Sequence, residues 1–246
     1  MGALVVIPAR YGSSRFPGKP LATMAGKPMI RHVYERSARA KGVDEVVVAT
    51  DDQRIADAVA QFNGTAVMTS PTAKSGTDRV AEVARAKRAS VVINVQGDEP
   101  LIEPDMIEQL VEYLSRHTAV PMVSLMKSLD TDAEGGNPNV VKVVVDRDNF
   151  ALYFSRAGIP FVRQPERKPI PRFYKHLGIY GYQRNFVLQF SALEPTLLEE
   201  LEQLEQLRVL EHGFKIKLLE TVHDTVGVDT PDDLKRVEQL LLKRGA

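Results

Sequence analysis

Four short apolar runs, Leu4–Ile7, Glu45–Ala49, Ala66–Met68 and Val91–Val95, recur along the first half of the chain. Helix-like patterns separate them: Met29–Lys41, Arg54–Phe62 and Asp78 to about Arg88. Short β-branched runs bounded by turn residues and joined through amphipathic helices predict parallel β-α-β units. Pro104 at a helix start, after the acidic pair Asp98-Glu99, predicts one more helix to about Arg116.

The rhythm changes after Pro121. Val140–Asp146 and Ala151–Phe154 read as neighbouring strands joined by a turn at Asp146–Asn149, and His176–Tyr182 as another β-like run. Pro160–Pro171, rich in proline and cations, reads as a loop. Residues 122–183 are therefore expected to form a β-rich extension within one domain spanning 1–246. Leu197–His212 is predicted as a single helix closed by Gly213, with Leu201, Leu204, Leu207 and Leu210 as its core stripe and Glu205 and Gln206 off that stripe. A strand at Lys215–Leu219 and a helix after Pro231 complete the chain.

The first of the apolar runs leads into Pro8-Ala-Arg-Tyr-Gly-Ser-Ser-Arg-Phe-Pro-Gly-Lys-Pro-Leu21, which carries Arg10, Arg15 and Lys19. Glycines there allow close approach of backbone to a ligand, and prolines stiffen the turns. Ligands of open α/β sheets sit outside the carboxyl ends of the strands, so the three cations are expected to receive a polyanion such as a triphosphate. This is not a Walker A loop: five residues separate Gly12 from Gly18-Lys19, and Pro20 stands where a metal-binding Ser or Thr belongs. A Gly-x-Gly-x-x-Gly opening a helix is missing too. With 32 basic and 32 acidic residues the chain has no nucleic-acid or membrane footprint, so any anion site is local. The chain contains no cysteine, which excludes disulfides, thiolate catalysis and cysteine-based zinc sites. Neither a signal pattern nor a membrane-length apolar run is evident, and a cytoplasmic protein is the expectation.

Other segments carry candidate chemistry. Asp98, past the end of the most apolar strand in Val95-Gln-Gly-Asp-Glu-Pro100, suits Mg²⁺ beside a nucleotide, or else caps a turn; Gln96 can read a base or ribose. In Val228-Asp-Thr-Pro-Asp-Asp-Leu234, Thr230 with Pro231 reads as a helix start and Asp232 and Asp233 suit the helix dipole, which leaves Asp229 as a second metal ligand. Ser75, Thr77 and Arg79 at a helix N-terminus can meet phosphate, ribose or base, or Ser75 or Thr77 can simply cap the helix. His176, Gly178 and Tyr180 share one face of a strand, with Leu177 and Ile179 on the other. Arg156 can clamp a carboxylate, and a solvated face is the plain reading of Glu205 and Gln206.

In these segments the chain resembles the 3-deoxy-D-manno-octulosonate cytidylyltransferase (CMP-Kdo synthetase) family. Ordered blocks carry the resemblance: Ile7–Leu21, Ala49–Asp51, Ser75–Arg79, Asn94–Pro100, Ala151–Arg156, His176–Tyr182, Leu204–Leu210 and Gly227–Leu234. Ala-Leu-Tyr-Phe-Ser-Arg, Lys-His-Leu-Gly-Ile-Tyr-Gly-Tyr and Leu-Glu-Gln-Leu-Arg-Val-Leu-Glu are the more specific ones. Arg163–Phe173 departs from the pattern by its shortness. The resemblance implies a Rossmann-like nucleotide-diphospho-sugar transferase (GT-A-like) α/β fold, a mixed sheet flanked by helices with a β-rich dimerisation arm. It also implies transfer of CMP from CTP to Kdo with release of diphosphate, for lipopolysaccharide biosynthesis, with Mg²⁺ and in a homodimer. Arg10, Arg15, Lys19, Ser75, Thr77, Arg79 and Gln96 would bind CTP, Asp98 and Asp229 the metal, and Arg156, His176, Tyr180, Glu205 and Gln206 the sugar acid. Arg10, Lys19, Asp98 and Asp229 would be catalytic. A synthetase for 8-amino-Kdo or a sialic acid, and a silent nucleotide-binding protein, are the alternatives.

Overall fold

Strands whose two faces are both apolar need helices on both sides, and the chain supplies them. The structure, a computed structural model, describes residues 2–12, 16–129, 132–164 and 173–243. The first half contains β1 (Ala3–Pro8), a 3-10 turn (Lys19–Leu21), β2 (Thr23–Met24), β3 (Lys27–Pro28), α1 (Met29–Ser37), β4 (Val43–Thr50), α2 (Gln53–Gln61), β5 (Ala66–Met68), α3 (Gly76–Ala86), β6 (Val91–Asn94) and α4 (Pro104–Arg116). The second contains β7 (Met122–Ser128), α5 (Asp132–Gly136), β8 (Lys142–Val145), β9 (Ala151–Ser155), β10 (Tyr174–Gln183), α6 (Arg184–Phe190), α7 (Leu197–Glu202), α8 (Gln206–Glu211), β11 (Ile216–Glu220) and α9 (Pro231–Lys243).

The strands of the main sheet run β11-β7-β10-β6-β1-β4-β5, with β8 attached to β10 and β9 to β8. Parallel pairs join β1 to β4 and β6, β4 to β5, and β7 to β11. β10 is inserted antiparallel between β6 and β7, which makes the sheet mixed. Along β1 the pleat sends Val5 and Ile7 to one face, against Ile30 and Val33 of α1, Ile55 of α2 and Ile107 of α4. Leu4 and Val6 go to the other face, against Val80 and Val83 of α3, Phe186 of α6 and Leu207 of α8. Each such fully buried aliphatic side chain contributes roughly 1.5–3 kcal/mol. A third, smaller cluster seats α9 through Val237 and Leu241 on Met24, Met29, Leu101 and Val228.

Several elements depart from the sequence expectation. The sequence pattern does not predict β2, β3, β7, α5 or α6, and β7 is an internal strand of the main sheet, between β11 and β10. The single helix expected over Leu197–His212 is two, broken where Gln203 adopts a left-handed backbone (φ 53). Leu201, expected in the core stripe, is consequently 71% exposed, whereas Leu204 and Leu207 are buried. Gly213 does end the second helix, at φ +80. Most of the expected Pro160–Pro171 loop, and of the short Arg163–Phe173 segment, lies outside the described residues.

Candidate active site

In the described sheet, the carboxyl ends of β1, β4, β5 and β6 lie on one edge, and β10, running the other way, starts there. Past β1 stands Arg10, and past β6 come Gln96, Gly97 and Asp98; the segment after β11 returns to Asp229. A cavity of about 320 Å³ opens between them, lined by Arg10, Lys19, Lys74, Ser75, Arg79, Gln96, Asp98 and Asp229 among others. The two loops touch: a Cβ on Gly97 would lie 2.8 Å from the Pro8 carbonyl oxygen, so no larger residue fits without a backbone shift. Gly18 (φ +72) starts the turn that presents Lys19, and its N–H donates to the Tyr11 carbonyl at 2.9 Å.

Lys19 Nζ donates to Asp98 Oδ2 at 2.7 Å and to Asp229 Oδ1 at 3.4 Å, partners 79 and 210 positions further along the chain. The Val228 N–H donates to the Asp98 carbonyl at 2.9 Å, which holds the two acidic segments side by side. Thr230 caps α9, as the sequence predicts; Asp233, expected only to suit the helix dipole, accepts in return from the Thr230 N–H, and the Asp229 N–H also donates to it. Next to Asp98, Glu99 behaves differently. Burial, with the charge of Asp98 beside it, raises its pKa to about 8, so at neutral pH it is mostly protonated. Asp98 and Asp229 thus form an all-oxygen, doubly charged donor pair, which suits a hard divalent cation whose remaining ligands are water and phosphate. Among the described residues no cluster of three His, Cys, Asp or Glu side chains could hold a metal.

The segment at α3 turns out to be a frame as well as a surface. Ser75 caps the helix in a reciprocal box with Asp78. Arg79 commits its guanidinium to Thr69 Oγ1 (2.7 Å), the Ser70 carbonyl (3.1 Å) and Asp51 Oδ2 (2.7 Å) while lining the cavity. Gln96 donates to Asn94 Oδ1 at 3.3 Å. Thr77 Oγ1 donates to Glu205 Oε2 at 2.6 Å, so residues expected on the nucleotide and on the sugar side are bonded to each other.

The second group gathers on the β10 face. Tyr180 OH donates to Gln206 Oε1 at 3.2 Å, and the rings of His176 and Tyr180 lie 5.4 Å apart. Ser124 Oγ donates to the Ile179 carbonyl (2.7 Å) and sits 2.8 Å from His176 Nε2. With its one hydrogen on a carbonyl, the serine accepts from the imidazole, which assigns the proton to Nε2. Burial lowers the His176 pKa to about 3, so the ring is neutral. Burial raises the Glu205 pKa, and the Thr77 and Ser75 hydroxyls offset part of this. Glu205 Oε1 and Gln206 Nε2 are buried without a hydrogen-bond partner among the described residues, as polar atoms that await a ligand would be. The break at Gln203 brings this pair inward, against the solvated face expected for it.

Arg156 stands apart from these four. Its guanidinium donates to the carbonyls of Glu202 (2.8 Å), Gln203 (3.3 Å) and Pro138 (3.1 Å). Arg15 lies outside the described residues. Lys74, a further cation on the cavity, and three partners, Asp51 of Arg79, Asn94 of Gln96 and Ser124 of His176, are not among the residues expected from the sequence. Asp51 and Asn94 stand in segments that carry the family resemblance, Ala49–Asp51 and Asn94–Pro100, whereas Ser124 lies on β7, which the sequence pattern does not signal.

A cytidylyltransferase family model matches residues 4–216. A 3-deoxy-manno-octulosonate cytidylyltransferase of Geobacter sulfurreducens is 51% identical over 249 residues, covering 98% of this chain and 100% of the relative. An 8-amino-3,8-dideoxy-manno-octulosonate cytidylyltransferase of Shewanella sp. (strain ANA-3) is 52% identical over 245 residues, covering 98% of this chain and 99% of the relative. A solved CMP:2-keto-3-deoxy-manno-octonic acid synthetase, complexed with CTP, superposes with a TM-score of 0.94 at 46% identity, over 99% of this chain and 100% of that one. Among the described residues no helix is long and apolar enough to cross a membrane.

Proposed function

The chain belongs to the cytidylyltransferase family, and from that premise we propose that it activates 3-deoxy-D-manno-octulosonate with CTP, giving CMP-Kdo and diphosphate. The observation that carries this reading is the meeting of Lys19 with Asp98 and Asp229 at a cavity that Arg10 also lines. Cations there suit a triphosphate and the carboxylates suit its counter-ion.

In this reaction the anomeric hydroxyl of the sugar acid attacks the α-phosphorus of CTP. One P–O bond forms, the bond to the diphosphate oxygen breaks, and the hydroxyl loses its proton. Positioning and charge stabilisation carry such a transfer. Arg10 and Lys19, joined by Arg15 on sequence grounds, hold the triphosphate and stabilise charge on the departing diphosphate, with Lys19 exchanging a carboxylate for a phosphate oxygen. Ser75, Thr77, Arg79 and Gln96 surround the nucleotide. Asp98 and Asp229 would hold Mg²⁺, which when bound polarises the α-phosphate. The neutral His176 ring, Tyr180, Glu205 Oε1 and Gln206 Nε2 take the sugar hydroxyls, and Arg156 serves the same side by holding the segment that precedes Glu205. Supply of a lipopolysaccharide precursor, in the cytoplasm and as a homodimer, completes the proposal.

Relatives of both sugar specificities stand at nearly equal identity, 51% and 52%, so the far end of the sugar is decided by assay. Diphosphate release from CTP and Mg²⁺ is measured with Kdo, 8-amino-Kdo and a sialic acid in parallel, and the product is identified by phosphorus NMR. The expected result is Kdo-dependent release with CMP-Kdo formed. Diphosphate release that ignores the sugar acid would sink the reading.

A further inference from the structure

α7 is only lightly anchored in the core: Leu198 packs against it partly buried, none of the helix's residues is fully buried, and Leu197 and Leu201 are 65% and 71% exposed. Yet its C-terminal end must be held, because Gln203 takes a left-handed conformation that costs a non-glycine residue about 1 kcal/mol. That conformation turns the chain so that Glu205 reaches Thr77 and Gln206 reaches Tyr180. The Glu199–Arg208 pair holds α7 to α8 but ties neither to the sheet.

The tie to the sheet comes through Glu202. Its carboxylate accepts from Ser155 Oγ at 2.6 Å and from the Arg156 N–H at 2.9 Å, both at the end of β9. Arg156 answers by donating to the carbonyls of Glu202 and Gln203, which the end of a helix would otherwise leave bare. Behind it, Lys142 has 0% exposure and directs its ammonium to three carbonyls, those of Asn137 (2.9 Å), Val140 (2.7 Å) and Arg156 (2.5 Å). Burial tends to raise the Glu202 pKa, but the Arg156 N–H, the Ser155 and Tyr153 hydroxyls and the Arg156 charge hold it below the usual carboxylate range, so the acceptor is ionised at neutral pH.

We propose that Glu202, backed by Lys142, is a positioning residue for the sugar-acid pocket, fixing the break at Gln203 that aims Glu205 and Gln206 inward. The inference rests on the reading of those two residues as sugar contacts. It also gives Arg156 its part: the arginine acts on the pocket through the backbone it clamps.

Steady-state kinetics with CTP and Kdo varied separately test this. Glu202→Gln is expected to raise KM for Kdo by about tenfold or more, the worth of hydrogen bonds to a charged group, and to leave KM for CTP within about twofold. Ser155→Ala should show the same split at smaller size. Glu202→Gln combined with Glu205→Gln should raise KM for Kdo no further than Glu205→Gln alone, because both act at one place. An unchanged KM for Kdo, or equal rises for both substrates, overturns the proposal. Where Glu202→Gln fails to fold, Ser155→Ala, which removes only one donor from that carboxylate, decides by the same split. A wild-type protein that uses a different sugar acid overturns the substrate reading instead, and the same variants are then judged on that acid.

Discussion

Lys19 and His176 show how far the environment sets what a side chain does. Lys19 is 12% exposed and faces two carboxylates that are 36% and 48% exposed. Water can take the place of its ammonium, so Lys19→Met should change stability by about 1 kcal/mol or less. Turnover, however, should fall at least about a hundredfold, since a positioned cation at developing charge is lost. Normal turnover at an unchanged melting temperature would remove the catalytic role. For His176 the sign follows from burial. Its folded pKa, about 3, lies below the ordinary 6.5, so between those values the folded state binds fewer protons than the unfolded one. The stability it contributes is complete above about pH 6.5 and is lost as pH falls toward 3. Urea unfolding at pH 7 and pH 4.5 should show wild type losing roughly 2 kcal/mol more than His176→Asn. Equal losses would mean the ring titrates normally. Both residues were visible in the sequence as candidates, but their states were not. Those depend on Asp229 and Ser124, contacts 210 and 52 positions away.

The elements legible in advance were those whose local pattern and tertiary role agree. β1, β6 and the second half of β4 are buried on both faces, and their β-branched runs say so, while β5 is a half-exposed edge strand. β7 carries Met, Ser, Leu and Lys, residues of no marked strand preference, and becomes a strand because β10 and β11 pair with it on either side. The helix expected over Leu197–His212 failed for the opposite reason. Its leucine spacing is helical throughout, but a break at Gln203 serves the pocket, and nothing local in the residue demands a left-handed conformation. Glycine adopts it without strain, so Gln203→Gly should be neutral or stabilising by up to about 1 kcal/mol. Gln203→Val, with a branched β-carbon, should destabilise by about 1–2 kcal/mol and weaken use of the sugar acid. Denaturant midpoints for the pair check this, and a stable, active Gln203→Val would argue that the turn is not held open there.

Taken whole, the molecule joins an ordinary parallel half to an added hairpin of β8 and β9, continuous with the main sheet through β10. Leu152 and Phe161, 62% and 88% exposed, lie on and just beyond that hairpin. If the arm joins two copies, as we propose, Leu152→Asp with Phe161→Asp should halve the mass measured by light scattering while leaving the circular dichroism intact. An unaltered mass would move the interface elsewhere. Fold class was legible because alternating strands and helices leave few ways to arrange them, whereas the arm's partner leaves no trace in periodicity. Asp98 and Asp229 stand 79 and 210 positions beyond Lys19 along the chain. During synthesis Lys19 therefore precedes both of its carboxylate partners, and the group is assembled only by folding. If the two carboxylates hold the counter-ion as proposed, the site cannot form until residue 229 has been made and has folded against Lys19.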